Sequence, residues 1–487
     1  MDTPDEVKIG LEIHCQLTAL KTKLFCGCSA DYRANEPNTS VCPVCLGLPG
    51  SLPVLNDRAV DLALLVALSI DCSIPEVALF FRKNYYYPDL PKNFQISQYD
   101  KAGGVTIAGK GKLTFSFDGQ EKTVTIRRIQ LEEDPGKVHY KGSMDTSPYA
   151  LIDYNRSGVT LLEIVTEPEF TSPGEARIFL QKVRSILEHL EVSDGSLEGA
   201  MRCDANISAS GGQRIEIKNI SSFKEVERAL NFEIIRQRNL LKKNATVKME
   251  TRHWDEVKRI TISGRAKEEE QDYRYFPEPD LVQLRIVKEK ITQLQNKMPE
   301  LPDARKVRLI KEYKLSPYDA EILTSDRQLA DFFEKCIAQY NKPKVIANWL
   351  MGDVLQILYS LDVELGKSKM TTQHLVEMVR MMDDGIISIK IAKKVLWEIL
   401  KAGKSPVQIV EEQGWVRITD EKTLEETASK VFNEHSQAVQ DALSDPKTAH
   451  YLVGQLMSLT HGRADPQLAN KIVNNKLDQI RKARRLE

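Results

Sequence analysis

The sequence has no apolar run near the roughly 18 residues that a membrane-spanning helix requires, so neither a helical span nor a membrane partner is expected. It lacks an excess of either charge: 68 Lys and Arg stand against 69 Asp and Glu. That excludes a uniformly cationic nucleic-acid binder, and any nucleic acid must be met by a local basic surface. The first residues, Met1-Asp-Thr-Pro-Asp-Glu6, are acidic where an export or transit signal is basic, and a cytoplasmic location is expected. Internal repeats and low-complexity tracts are missing. So is a hydrolytic nucleophile: Ser208-Ala-Ser210-Gly-Gly212 has the small residues of an amidase loop, but no lysine arrangement accompanies it, and it reads as a turn between strands. Gly104 to Lys110 imitates a phosphate-binding loop. Gly111, however, stands where Ser or Thr is required, and Leu113-Thr-Phe-Ser-Phe117 after it is a strand, so a hairpin turn is expected there.

The 487 residues exceed what one core holds, and roughly two to four domains are expected. From Val7 to about Leu281, short alternating runs are punctuated by Gly, Pro and Asn, with two long helical patterns embedded. This is the pattern of an α+β domain, placed at 1–285. One helix follows Thr171-Ser172-Pro173, and the other opens with the capping pattern Ser222-x-x-Glu225; both are expected to lie against a sheet. After Arg285 the alternation ends and short helices follow, giving an all-helical domain at 286–405. Gly403-Lys404-Ser405-Pro406 reads as a linker, and 406–487 as a second, small helical domain. That tail ends in the basic residues Lys471, Lys476, Arg481, Lys482, Arg484 and Arg485, which form either the solvated face of a last helix or a nucleic-acid contact.

Several strands carry ligand-type residues on one face. Alternation from Val7 to Leu17 sets Ile9, Leu11 and Ile13 on one side and Glu12, His14 and Gln16 on the other. The same period puts Arg202, Asp204 and Asn206 opposite Cys203, Ala205 and Ile207, and groups Arg214, Glu216 and Lys218. A half-solvated antiparallel sheet accounts for polar alternation in general. Here the polar face holds the residue types that bind Mg²⁺ and phosphate, which favours a catalytic face. Glu163 interrupts the apolar strand Leu161-Leu-Glu-Ile-Val165 and needs a metal or an arginine as partner if it is buried. In Arg127 to Gly136, parity places Glu132, not Glu133, with Gln130, just before the turn at Pro135.

Eight cysteines are present, and Cys26, Cys28, Cys42 and Cys45 form two close pairs bracketed by Gly and Pro. Clustered cysteines without an export signal point to metal rather than disulfides. Four thiolates close a tetrahedral Zn²⁺ site with no open position, so its role is structural.

In order along the chain, Ile9-Gly-Leu-Glu12-Ile-His14, Arg82-Lys83-Asn84-Tyr85-Tyr86-Tyr87-Pro88, Gln95-Ile-Ser-Gln98, Leu131-Glu-Glu133-Asp-Pro-Gly-Lys137, Asp153-Tyr-Asn-Arg156, Arg202-Cys-Asp204-Ala-Asn206 and Tyr273-Arg-Tyr-Phe-Pro-Glu-Pro279 resemble the B subunit of the aspartyl/glutamyl-tRNA amidotransferase. The resemblance continues through Asn348-Trp-Leu-Met-Gly352, Leu452-Val-Gly-Gln455 and Asp465-Pro-Gln467. It implies a cradle-shaped antiparallel-sheet catalytic domain distantly like glutamine synthetase, followed by two all-helical domains, the last touching tRNA. It implies ATP and Mg²⁺ for phosphorylating the side-chain carboxylate of Asp-tRNA(Asn) or Glu-tRNA(Gln). Ammonia from a partner amidase (A) subunit then displaces phosphate, with a small C subunit completing a heterotrimer.

By motif position the resemblance implies Glu12, His14, Glu133 and Glu163 as Mg²⁺ ligands, and Lys83, Tyr85 and Asp204 as catalytic residues. Lys83 would stabilise the phosphoryl group, Tyr85 orient the aminoacyl end, and Asp204 accept a proton from ammonium. The four cysteines match the zinc-bearing version of the family's motif. Two rival readings are a non-catalytic tRNA adapter and a self-contained ligase using free ammonia. The related archaeal subunit specialised for glutamyl-tRNA carries an inserted domain where Pro279-Asp280-Leu281 here runs straight on, which favours the three-subunit enzyme.

Overall fold

The structure is a computed structural model. It describes residues 6–484 apart from 102, 143–146, 219, 265–269, 417 and 419, with the side chains of 270, 271, 446, 483 and 484 also outside the description. The chain divides into two compact units, one ending at Ala304 and the other beginning at Arg305. The first is mixed α and β around a large sheet, and the second is helical.

The strands that build the site are β1 (Val7–Gln16), β2 (Phe80–Asn84), β3 (Phe94–Gln98), β4 (Ala108–Phe117), β5 (Gln120–Glu133), β6 (Thr160–Thr166), β7 (Met201–Ala209), β8 (Ile215–Lys218), β9 (Glu250–Asp255) and β10 (Ile260–Ser263). Eight of them form one sheet in the order β10-β9-β8-β7-β1-β6-β5-β4. All neighbours are antiparallel except β8 and β9. The period-2 pattern decides which face each residue takes: Ile9, Leu11 and Ile13 are no more than 1% exposed, while Glu12 and His14 stay half-buried on the other face. β2 pairs with β3 in a smaller sheet. β3 is laced to β5 by side chains, with Gln95 Nε2 donating to the Glu133 carbonyl at 2.5 Å and Gln98 Oε1 accepting from Leu131 N at 3.1 Å.

Helices α1 (Pro43–Leu46), α2 (Asp57–Ser69), α3 (Pro173–His189) and α4 (Phe223–Lys242) complete this unit together with α5 (Lys288–Asn296). α3 and α4 bury Phe179, Leu180, Val183, Val226 and Leu230 in the same cluster as the apolar face of the sheet. Ser172 and Ser222 cap them, each accepting from a backbone N–H three residues on. The reciprocal half of the box at Ser222 does not form, because Glu225 accepts instead from Trp254 Nε1 at 2.8 Å.

Two boundaries and one turn differ from expectation. The first core runs past 285, since Ile286 and Leu294 are buried in it and Leu301 packs against it. Residues 403–406 are no linker: Gly403 ends α6 (Ile389–Ala402), and Ser405 exchanges capping hydrogen bonds with Gln408 at the start of α7 (Pro406–Gln413). Ile409 and Val410 of α7 are buried with Val395, Leu396 and Ile399. The helical unit thus holds two cores, and the break between them lies between Trp415, packed on the first, and Leu424 of α8 (Glu421–Glu434), buried in the second. Finally, Gly109 lies inside β4 opposite Arg128 and Gly111 opposite Ile126, and the hairpin turn is at Asp118-Gly119.

Candidate active site and metal centres

Strand register gathers the polar face. Glu12 sits between Asp204 and Val165, His14 between Arg202 and Glu163, Asn206 between Gly10 and Glu216, and Gln130 opposite Glu163. Apart from Arg202, these residues line a cleft of about 830 Å³ together with Lys83, Tyr85 and Tyr273 from outside the large sheet. That is within the range of a small-molecule or cofactor site, about 300–1,000 Å³.

At one end, His14 Nε2 lies 3.8 Å from Glu132 Oε1 and 3.9 Å from Glu163 Oε2. These are too long for direct hydrogen bonds. Ligand atoms of all three lie within 4.8 Å of one another, and His14 Nδ1 is buried without a hydrogen bond. Burial, then the charges of Arg202, Lys218 and Lys83, hold the His14 imidazole well below 6.5, so it is neutral, the form that ligates a metal. Burial and then the charge of Glu132 push Glu163 up to about 8, against the pull of Arg128. Gln130 Nε2 donates to Glu163 Oε2 at 2.7 Å, Arg128 Nη2 stands 3.5 Å from Oε1, and Ser97 Oγ donates to Glu132 Oε2 at 3.1 Å. Two crowded carboxylates beside a neutral imidazole fit a hard divalent cation such as Mg²⁺ or Mn²⁺.

Glu133 is not brought to this group. It points to the other side of β5, where both its oxygens accept from Lys92 Nζ, at 2.6 and 2.5 Å, and Oε2 also accepts from Ile96 N at 3.0 Å. Glu132 stands in the group instead, as its parity with Gln130 indicates.

Beside it, Glu12, Asp204 and Glu216 form a second group whose ligand atoms also lie within 4.8 Å. Lys218 Nζ lies 2.8 Å from Asp204 and 3.5 Å from Glu216, and against the cost of burial those two charges raise its pKa. Asn206 Nδ2 donates to Glu12 and Thr251 Oγ1 to Glu216, each at 2.8 Å. Sequence parity put Glu216 on the polar face but gave no reason to single it out. The signal was its strand neighbour Asn206, which faces both Gly10 and Glu216.

Over these groups stands an aromatic wall. Lys83 Nζ lies 4.8 Å from the centre of the Tyr273 ring and 5.5 Å from that of Tyr85, and Tyr99 stacks on Tyr275 at 4.3 Å. Tyr85 donates its hydroxyl proton to Gln95 Oε1 at 3.2 Å. Burial opposes the charge on Lys83, but Tyr275, Tyr85 and Glu132 outweigh it, and the ammonium is held well above its usual value. The structure brings Lys83, Tyr85 and Asp204 to one cleft. The stack of Tyr99 on Tyr275 is not legible locally, because the two lie in distant segments.

The sulfurs of Cys26, Cys28, Cys42 and Cys45 lie within 4.8 Å of one another, and those of Cys42 and Cys45 are 3.8 Å apart. A tetrahedron of zinc–sulfur bonds of about 2.3 Å has an edge of about 3.8 Å. A hydrogen bond from Cys26 holds the Cys45 thiol down to about 4 against its burial, with Cys42 N and the buried Lys23 assisting. Cys28 is pushed up to about 11 by burial and by Cys42. One thiolate already stabilised among four convergent sulfurs fits a structural Zn²⁺ site.

In the last helix, α9 (Pro466–Arg484), Lys471 and Lys482 are exposed. Lys471 pairs with Glu421 at 3.2 Å, Lys476 donates to Ser429 at 2.8 Å, and Arg481 donates to Asp478 and to the Ala442 carbonyl. The Arg484 side chain and all of Arg485 lie outside the described residues. No helix among the described residues is long and apolar enough to cross a membrane.

Comparison with known families matches residues 7–292 to the GatB/GatE catalytic domain and residues 331–477 to the GatB domain. Among curated relatives, the chain is 52% identical over 468 residues to the B subunit of the aspartyl/glutamyl-tRNA(Asn/Gln) amidotransferase of Sulfurisphaera tokodaii, covering 96% of this chain and 98% of the relative. It is 47% identical to that of Thermotoga maritima over 96% and 98%, and 45% identical to that of Carboxydothermus hydrogenoformans over 98% and 99%.

Proposed function

The chain belongs to the GatB/GatE family, as the B-type component of a tRNA-dependent amidotransferase, and from that premise we propose that its cleft activates and amidates the side-chain carboxylate of aspartate or glutamate esterified to tRNA. The protein is part of a translation ligase, and its class implies ATP, a tRNA substrate and further amidotransferase subunits. In finer terms, an amidase (A) subunit supplies ammonia, a small C subunit completes the heterotrimer, and the cradle resembles that of glutamine synthetase.

A carboxylate is a poor electrophile until a good leaving group is attached, so activation consumes the γ-phosphoryl group of ATP and ammonia then displaces phosphate. Bound Mg²⁺ supplies neutralisation of charge during phosphoryl passage. His14, Glu132 and Glu163 would hold one cation, and Glu12, Asp204 and Glu216 a second. Lys83 presents its ammonium to the transferring phosphate, and Tyr85 orients the aminoacyl end. Asp204, lying 2.8 Å from Lys218, accepts a proton from incoming ammonium. The four cysteines hold structural zinc, and the basic face of α9 meets the body of the tRNA.

The observation that carries this reading is the pair of adjoining acidic groups, each with convergent ligand atoms, whose His14, Glu163, Glu12, Asp204 and Glu216 line one cleft with the half-buried, charged Lys83. The test is amidation of each mischarged tRNA by the reconstituted complex. Glu12→Ala, His14→Ala and Glu132→Gln are expected to abolish amide formation while glutamine hydrolysis by the partner continues at its basal rate. Near-normal amidation by the Glu12 and His14 variants would show that the chemistry lies elsewhere.

A further inference from the structure

The two acids that end β5 face opposite ways. Glu132 points at His14 and Glu163, while Glu133, only 5% exposed, touches neither acidic group. Its carboxylate takes three hydrogen bonds, two from Lys92 Nζ and one from Ile96 N, and its carbonyl a fourth from Gln95. Ser97, on the same strand, donates to Glu132 itself at 3.1 Å, and Gln98 holds Leu131 N. Thus β3 grips β5 at three successive residues immediately before the chain turns away at Pro135.

Lys92 is itself held from below. Its stem lies on Gly47, which has a φ of 67° at the C-cap of α1, and a Cβ there would stand 2.3 Å from Lys92 Cγ. Only a glycine permits both that backbone and that approach. α1 carries Cys45 and is capped by Cys42, so the cysteine knuckle is the floor under Lys92. A buried ion pair adds little net stability compared with apolar side chains of the same size. Its use here is to fix geometry.

Resting on the reading of Glu132 as a cation ligand, we infer that Lys92 and Glu133 are positioning residues: with both oxygens of Glu133 clamped by Lys92, the end of β5 is fixed to β3 and to the cysteine knuckle, and Glu132 is aimed at the cation. Partners that orient a metal ligand typically contribute about 10–100-fold to metal affinity.

The test measures binding of Mn²⁺ alone, by loss of the free-ion electron paramagnetic resonance signal, to the complex with its partner subunits. Lys92→Met and the double variant Lys92→Met/Glu133→Gln are expected to weaken one Mn²⁺ by about 10-fold or more. Lys92→Arg should recover most of the loss, and melting temperatures separate this effect from unfolding. The double variant leaves no lone buried charge, so it carries the same expectation if Lys92→Met does not fold. Mn²⁺ bound by Lys92→Met as tightly as by the parent overturns the inference. Tighter binding does so too, because it would mean that Glu133 is itself a ligand, released from its ammonium. If Glu132→Gln fails to remove one bound Mn²⁺, the reading of the cation site fails, a result distinct from failure of the clamp.

Discussion

Two carboxylates facing one imidazole in a buried corner repel each other, and the effect falls on Glu163, raised from 4.5 to about 8 by burial and then by Glu132. In the cation-free protein the folded state keeps a proton that the unfolded chain releases near 4.5, so this group's contribution to stability declines as pH rises from 4.5 to about 8. His14 acts with the opposite sign. Its depressed value means that stability is lost as pH falls below 6.5, where the unfolded chain takes up a proton that the folded one refuses. Above pH 6.5 only Glu163 of this pair still contributes, and a cation bound there would replace its proton. The rise in melting temperature produced by Mg²⁺ should therefore grow between pH 6.5 and 8. Melting curves with and without Mg²⁺ across that window check this, and a shift that stays flat would mean that no cation displaces the proton of Glu163.

At the level of elements, replacing Cys42 with Ser should cost the protein its zinc and about 2 kcal/mol of stability, or roughly 4–8 °C of melting temperature, with a smaller effect on turnover. Elemental analysis and melting of protein prepared without chelators decide it. The two helical cores give a second expectation. Deletion from residue 420 leaves Ile409 and Val410 in place, whereas deletion from 406 removes both from the middle core, at a cost of about 3–6 kcal/mol. The longer truncation should therefore melt well below the shorter one. The sequence made the strands of the sheet legible because one face is buried and the period of 2 is strict, as in β1. It made Glu132 legible by parity, while motif position alone pointed to Glu133. What it could not carry was contact across distance: Lys92 and Glu133 are 41 positions apart, and Glu225 leaves its expected cap for Trp254. No break falls at 405, because Gly-Lys-Ser-Pro is also how one helix ends and the next is capped.

For the whole molecule, near-neutral net charge means that tRNA affinity must come from few places. If α9 meets phosphates, affinity should fall with salt, and removing residues from 420 onward should flatten that dependence by about one in the log–log slope for each phosphate no longer neutralised. Affinity measured at several salt concentrations for both proteins checks this, and equal slopes would leave Lys471 and Lys482 as solvated surface. The order of the sheet has a consequence for how the protein is made. Of the eight strands of the large sheet β1 is synthesised before the others, yet it sits in the middle, and its two partners begin at Thr160 and Met201. At roughly 5–20 residues per second, its apolar stripe waits about 7–30 s for the first of them. During that interval Ile9, Leu11 and Ile13 are an unpaired, sticky edge on a growing chain, so the protein is most exposed to aggregation, and most in need of a chaperone, while still being synthesised.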